Sequence, residues 1–283
     1  MTSHDGGTLH LDVENIEIEL ILEAIRLRYG HDFRNYSRAH VKRRILHRQS
    51  LSGLDRLCDL QYGILHDRAM FEALLLDLSI NVTEMFRDPS FYLALRNEVM
   101  PLLRTYPFIK VWHAGCSSGE EVYSMAIVLK EEDMYDHAQV YATDFNQMIL
   151  QRAKEATYPI NLIKEYTANY QKAGGQASFA DYYIAKYETV IIEQSLKRRI
   201  VFADHNLVTD GVFGEMNMII CRNVLIYFNR ELQDRVIKLF LDSLCPGGFL
   251  CLGSKESLKF SKYAEAFEPV VEKEKMYKKR LGI

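Results

Sequence analysis

Cysteine and proline are sparse, at five and six in 283 residues, and there is one tryptophan. The five cysteines (Cys58, Cys116, Cys221, Cys245 and Cys251) are odd in number and form no C-x-x-C pair. That excludes a disulfide scaffold and suits reduced thiols. None of the nine histidines stands in an H-E-x-x-H or comparable ligand pattern, so no metal site is expected. No apolar run approaches the roughly 18 residues that a membrane span needs. The opening MTSHDGGTLHLDVEN also lacks the basic start and apolar core of a secretion signal. A cytoplasmic location follows as the expectation. Neither charge predominates: 35 Lys plus Arg stand against 38 Asp plus Glu, a net charge of −3, which argues against a general nucleic-acid binder. What remains is 48% hydrophobic and 26% charged, the balance of an ordinary globular protein, with a length that suits two modest domains.

The first 80 residues read as a small all-α domain. Ile16, Leu20, Ile21, Ala24 and Leu27 recur at three- and four-residue steps, which predicts one buried helix face stopped by Gly30. Phe33 to Leu54 carries Arg34, Arg38, Lys42, Arg43, Arg44 and Arg48 with no acid before Asp55, and has Val41, Ile45 and Leu46 on an apolar side. Two further helical patterns run from about Leu54 to Ile64 and from Met70 to Leu78. Residues 81–106 are expected to form a linker and cofactor lid.

From residue 107 to 283 short β-rich runs alternate with helical patterns, as βαβ units with a parallel sheet require. Strands are expected at Phe108–Ala114, Ala138–Thr143, Arg199–Ala203, Met216–Cys221 and Phe249–Leu252, with helices near 120–130, 147–156 and 230–244. The tail from Phe267 to Arg280 suits a hairpin. Residues 157 to about 198 interrupt the alternation with Tyr-rich polar sequence, a Gly174-Gly175 turn, and strand-like runs at Asp181–Ile184 and Glu188–Ile192. They predict an inserted antiparallel β-subdomain.

In open α/β sheets ligands sit beyond the carboxyl ends of the strands. Gly115 and Gly119 bracket the first such turn, but their spacing is not the G-x-G-x-x-G of a pyrophosphate loop. Glu120 and Glu121 at the next helix start would repel phosphate and favour a cationic or zwitterionic ligand. Asp144 ends the second strand, where a carboxylate can accept both hydroxyls of a ribose. A nucleoside without phosphates and with a positive centre points to S-adenosylmethionine. The plainer reading of Asp144 is a helix cap, and of Gly115 an ordinary turn.

Five segments, taken in order, carry a resemblance. They are Asn81-Val82-Thr83-Glu84-Met85-Phe86-Arg87, Gly115 through Ser124 (GCSSGEEVYS), Ala142-Thr143-Asp144, His205-Asn206-Leu207 and Cys221 through Phe228 (CRNVLIYF). Together they resemble the chemotaxis receptor methyltransferases, the CheR family. The resemblance implies a Rossmann-like methyltransferase sheet with a helical N-terminal domain and a β-insertion. It implies methyl transfer from S-adenosylmethionine to glutamate side chains of chemoreceptor cytoplasmic helices, with S-adenosylhomocysteine as product and no metal. Asn81, Thr83, Arg87, Glu121, Asp144, Asn206, Leu207, Arg222 and Asn223 match the family's cofactor-contacting positions. Arg87 and Tyr227 match those beside the reacting methyl. Val122 departs from the proline common after the paired glutamates, a difference confined to how the helix starts.

Read from the residues alone, the plainer alternatives are that Arg87 pairs with Glu84 or Asp88, that Tyr227 is core packing, and that Asn206 and Asn223 are turn formers. The basic stretch has two readings also. A charge run is most often a solvated helix face, but against an acidic substrate helix Arg38, Lys42 and Arg43 become candidates for docking. The expected partner is the methyl-accepting receptor, with neither nucleic acid nor membrane insertion, and the expected state is a monomer. The alternative function is a non-catalytic S-adenosylmethionine sensor or scaffold in a signalling array, which Arg87 and Tyr227 disfavour. A nicotinamide-dependent dehydrogenase is disfavoured by the missing pyrophosphate loop.

Overall fold

The computed structural model describes residues 12–79, 83–212 and 214–282. The chain divides into two compact units, Met1–Ser79 and Ile80–Ile283.

The first unit holds helices α1 (Val13–Tyr29), α2 (Arg38–Leu51), α3 (Leu57–His66) and α4 (Arg68–Leu78), with α1 packed chiefly on α3 and α2 on α4. Gly30 ends α1 in the left-handed region at φ 79°, as a residue without Cβ does most readily. The face that α1 buries shares only Ile21 with the buried set that the spacing predicts. Ile18, Ile21, Leu22 and Ile25 are buried, whereas Ile16, Leu20 and Leu27 are 42%, 51% and 70% exposed. Apolar residues lie on both sides of this helix, so three- and four-residue spacing fits two faces and cannot choose between them. Tyr29 stacks on Phe71 of α4 at 3.6 Å and its hydroxyl donates to the Ile64 carbonyl at 2.7 Å, which joins three of the helices.

The second unit is a seven-stranded sheet. Its strands are β1 (Ile109–Ala114), β2 (Ala138–Asp144), β6 (Ile200–Asp204), β7 (Met216–Cys221), β8 (Leu244–Leu252), β9 (Phe267–Val271) and β10 (Met276–Lys279), in the order β6-β2-β1-β7-β8-β10-β9. The first five are mutually parallel, and β10 runs antiparallel to both β8 and β9. Helices α7 (Glu120–Glu131), α8 (Gln147–Glu155) and α10 (Arg230–Ser243) make the crossovers. Buried Val111, Val140, Met218 and Phe249 supply the apolar runs that a parallel sheet covered on both faces requires. Residues 83–106, expected as linker and lid, belong to this unit. Helices α5 (Pro89–Ala94) and α6 (Met100–Leu103), joined by a π-helical turn at Leu95–Val99, put Phe91, Tyr92, Leu95 and Val99 into its core.

The insertion forms a separate antiparallel sheet, β3 (Thr157–Pro159), β4 (Tyr183–Lys186) and β5 (Thr189–Ile192), in the order β3-β5-β4. It differs from the sequence reading in two places. Residues 179–182 make a short 3-10 turn, so β4 starts at Tyr183, and an unforeseen helix α9 (Ile163–Lys172) buries Tyr166 and Tyr170 one turn apart. A buried carboxylate ties this insertion to the main unit. Glu131 at the end of α7 pairs with Arg96, accepts from the Tyr170 hydroxyl, and accepts from the Tyr182 hydroxyl at 2.8 Å and the Gln176 N–H at 3.1 Å. Among the described residues no helix is long and apolar enough to cross a membrane.

Candidate active site

The strand order turns back between β1 and β7, and at such a switch point two crossovers depart to opposite faces and leave a crevice. Three loops meet there. After β1, the Gly115 and Cys116 N–H groups both donate to the Thr143 carbonyl, at 2.8 and 2.9 Å, which folds the loop across the end of β2. Gly115 has φ 81°, and a Cβ on it would lie 2.7 Å from Val224 Cγ2 of the loop after β7. Glycine is required twice over, for the backbone angle and for the close approach.

Asp144 closes the crevice on the β2 side. Its Oδ2 accepts from the Ser117 N–H and its Oδ1 from the Asn146 N–H, each at 3.0 Å. The carboxylate therefore braces two loops, a stronger tie than the helix cap the sequence allowed, while Asn146 itself caps α8. Burial pushes the Asp144 carboxyl up to about 6 against these backbone donors. A third backbone donor, the Phe145 N–H, also holds this carboxylate, and of its four acceptor sites one is left for a ribose hydroxyl. Nearby, Ser117 Oγ is buried with no partner among the described residues, a polar group that a bound nucleoside would satisfy. The His205 N–H donates to the Asp144 carbonyl at 3.3 Å, which sets Asn206 and buried Leu207 beside it. Asn206 acts as a turn former too, since its Oδ1 accepts from the Val208 N–H at 3.0 Å.

The third wall is organised by Arg222, whose side chain is 2% exposed. Its guanidinium donates to Asp88 Oδ2 at 2.6 Å, Glu121 Oε2 at 3.1 Å and the Arg87 carbonyl at 3.2 Å, and lies 4.1 Å over the Phe91 ring. Its Nε has no partner among the described residues. Glu121 is bound on its other oxygen by His113 Nδ1 at 3.1 Å. Burial acts to raise the Glu121 carboxyl, but the His113 hydrogen bond and the Arg222 charge outweigh it and hold it below the usual range. Phe86 and Asp88, on either side of Arg87, both sit in the left-handed region at φ 54° and 57°. A bulky residue tolerates that only where its surroundings enforce it, and the Phe86 N–H is held by Ser124 Oγ at 2.9 Å. Arg87 is thus presented by a strained segment whose backbone is clamped at both ends.

The loop after β7 depends on a residue that sequence reasoning missed. Glu256 is 4% exposed, and its carboxylate accepts N–H groups from Gly253 at 2.6 Å, Val224 at 2.9 Å, Asn223 at 3.1 Å and Ile226 at 3.3 Å. Burial raises its carboxyl and the backbone donors counter it. With Asn223 in the left-handed region at φ 61°, these bonds set the short turn Leu225–Tyr227, and half-buried Tyr227 lies at its end. A lone Glu in Gly253-Ser254-Lys255-Glu256 carries no spacing signal; its only hint was glycine three residues before it.

Thr83 opens the described part of this unit, and Asn81 lies outside the described residues. Arg38, Lys42 and Arg43 belong to α2 in the other unit. There Arg38 pairs with Glu19 and Lys42 with Glu14, while Arg43 contacts His40 Nδ1 at 3.5 Å. Part of the helix's positive charge is therefore met within its own unit. Among the described residues no group of three or more His, Cys, Asp or Glu is placed to hold a metal ion.

A parallel sheet with a carboxylate ending β2 at the switch-point crevice and no G-x-G-x-x-G loop is an arrangement that suits S-adenosylmethionine-dependent methyltransferases. The fold and the crevice place the protein in that class. Comparison with known proteins narrows it. Residues 81–275 match the CheR methyltransferase S-adenosylmethionine-binding domain, and residues 16–79 match the CheR all-alpha domain. A Pseudomonas putida protein carrying the name methyltransferase Cher3 is 54% identical over 94% of this chain and 97% of its own length. A chemotaxis protein methyltransferase of Listeria innocua is 33% identical over 81% of this chain and 85% of its own. The chain belongs to the CheR methyltransferase family.

Proposed function

We propose that this enzyme transfers a methyl group to glutamate side chains on the cytoplasmic helices of chemoreceptors, giving methyl esters that adjust chemotactic signalling. The reading is supported by the chain's membership of the CheR methyltransferase family and by relatives that bear chemotaxis methyltransferase names, with Arg87 on a strained segment whose backbone is bonded to Arg222. S-adenosylmethionine supplies an electrophilic methyl on sulfur. The acceptor is already a nucleophile, because a glutamate with a pKa near ~4.3 is ionised at neutral pH, so the protein has no proton to remove. Its task is positioning.

Asp144 and Ser117 hold the ribose in this reading, while Asn206 and Leu207 line the neighbouring wall. Glu121, Asn223 and Thr83 complete the contacts toward the methionyl end, and Gly115 gives the loop its close approach. Arg87 steers the incoming carboxylate with its fork of donors, and Tyr227 orients it from the loop after β7. Arg222 acts through Arg87 and Glu121 and is a positioning residue here. A carboxylate held too tightly in the ground state would be a poorer nucleophile, which favours a half-buried arginine over an enclosed one.

The test is transfer of labelled methyl from S-adenosylmethionine to receptor-bearing membranes, followed by mild alkali and collection of volatile methanol. Alkali-labile label on receptor-sized bands is expected, and none with Asp144→Ala. Tight S-adenosylhomocysteine binding without any transfer would favour the sensor reading instead. Arg87→Ala is expected to lower turnover more than S-adenosylhomocysteine affinity; the reverse would make it a cofactor ligand only.

Docking by α2 makes a separate prediction. Exposed ion pairs contribute at most about 1 kcal/mol, so Arg38 and Lys42 can exchange Glu19 and Glu14 for a substrate acid at little cost. Replacing Arg38, Lys42 and Arg43 with alanine should raise the receptor KM several-fold and flatten its salt dependence. Wild-type kinetics would show the helix to be a solvated face.

A further inference from the structure

The loop after β8 and the start of α10 carry a feature that the site above does not use. On residues 253–262 the exposed charges are Lys255, Lys259 and Lys262, all positive, because the one acid, Glu256, is turned inward to the backbone. Among them stands Phe260, 67% exposed, with Lys259 Nζ 5.9 Å and the Arg230 guanidinium 5.7 Å from its ring centre. An exposed phenyl ring between two cations is costly to hydrate, and Arg230 fixes it further by donating to the Phe260 carbonyl at 2.9 Å. Beside the ring is a cavity of about 170 Å³, lined in part by Gln233, Asp234 and Ser257. Asp234 is the acid facing it, and its Oδ1 is engaged by the Lys262 N–H at 3.2 Å. Glu231 and Glu265 are exposed on the flanking segments.

This basic ridge is joined to the catalytic turn by direct bonds. Glu256 binds residues 223, 224 and 226 from within the same loop. Gln233 Nε2 donates to the Leu225 and Phe228 carbonyls at 2.9 and 3.0 Å. Arg230 follows Tyr227 by three residues and opens α10. A helix that brings a glutamate to Tyr227 extends beyond that residue, and one bearing glutamates one or two turns apart would present the next of them about 5–10 Å further along its axis.

We propose that Arg230, Lys255, Lys259, Phe260 and Lys262 form a substrate-docking surface on the catalytic unit itself, which receives the acidic flank of the glutamate-bearing receptor helix. In this arrangement Phe260 packs against the helix stem and the cations meet the neighbouring carboxylates. The proposal rests on the receptor reading above and adds where the helix lies. It also supplies register, because cations on a loop bonded to the turn bearing Tyr227 fix which glutamate of a series comes to the methyl.

The decisive comparison uses the full chain and a purified receptor cytoplasmic fragment. Binding of the fragment and methyl-transfer kinetics are measured for wild type, Lys259→Glu with Lys262→Glu, and Phe260→Ala. The charge-reversed enzyme should show a receptor KM raised tenfold or more and a flatter salt dependence. Phe260→Ala should show a several-fold rise, and both should retain wild-type S-adenosylhomocysteine affinity, which certifies folding. Mapping of methylated sites should show a shifted site preference with the charge-reversed enzyme. Unchanged KM and site preference in variants of an active wild type overturns this surface alone. A wild-type enzyme that neither binds nor methylates the fragment overturns the receptor reading, and this surface with it.

Discussion

Replacement of Glu131 by alanine is expected to destabilise the second unit by about 3–5 kcal/mol, the range for removing one partner of a buried ion pair. The Glu131 and Arg96 side chains are 4% and 5% exposed, so neither charge has water to fall back on. The loss is larger than one pair. Glu131 also receives the Tyr170 and Tyr182 hydroxyls and the Gln176 N–H, and alanine would leave these donors without their acceptor. Arg96 keeps Glu132 at 3.1 Å and the Ala173 carbonyl at 3.1 Å, which limits the damage on that side. Glu131→Gln should cost less than alanine because it retains an acceptor. Urea unfolding monitored by tyrosine and tryptophan fluorescence provides the check; a fall below 1 kcal/mol for Glu131→Ala would mean that the insertion is held by packing alone.

The second large effect concerns Asp144. Asp144→Ala should weaken S-adenosylhomocysteine binding tenfold or more by calorimetry, in line with about 1.5–3 kcal/mol for hydrogen bonds to a charged acceptor. The same residue predicts a pH dependence whose sign is fixed by its raised carboxyl. In the proposed pose the ribose donates to this carboxylate, so the cofactor prefers the ionised form, and affinity should fall as pH drops through about 6. The apo protein responds in the opposite sense. A carboxyl that binds its proton more readily folded than unfolded stabilises the fold as pH falls from about 6 toward its ordinary 3.8. Glu120 titrates nearby, pushed up to about 7 by burial while accepting from the Ser118 hydroxyl at 2.7 Å. Asp144→Asn distinguishes the two: it should flatten the affinity profile near pH 6, and a profile unchanged in that variant would assign the titration to Glu120.

The parts of this architecture that the sequence discloses are those governed by local rules. Gly115, Gly119 and Asp144 were legible because a glycine turn after an apolar run, and an acid ending the next one, is a pattern of chain order. The helix α1 was placed correctly and turned the wrong way, since which of two apolar faces is covered depends on α3 and not on α1. Helix α9 escaped because the residues it buries, Tyr166 and Tyr170, are amphipathic and read as polar. Glu131, Arg96 and Glu256 escaped for a deeper reason: Glu131 and Arg96 bond groups far off in sequence, and Glu256, apart from Gly253, bonds residues some thirty positions away, so a single buried charge looks like any surface one until its partners converge. Arg222 was recognised through family resemblance, but its bonds make it the fastener of the Arg87 segment, a role no motif states.

The crevice between β1 and β7 has a consequence for how the enzyme comes into being. The Lys110 N–H donates to Asn217 Oδ1, bridging 107 positions of chain, and β1 and β7 become neighbours only after β2, the insertion and β6 have been made. A nascent chain released from the ribosome before Cys221 therefore possesses the glycine turn and Asp144 but no pocket. Contacts of this sequence separation form slowly, because loop closure must precede their reward. With the cofactor placed as proposed, methyl donor present during synthesis would capture finished molecules and not such fragments, drawing the folding equilibrium forward by mass action. Cofactor supply would act in this way as a late chaperone, selecting complete chains.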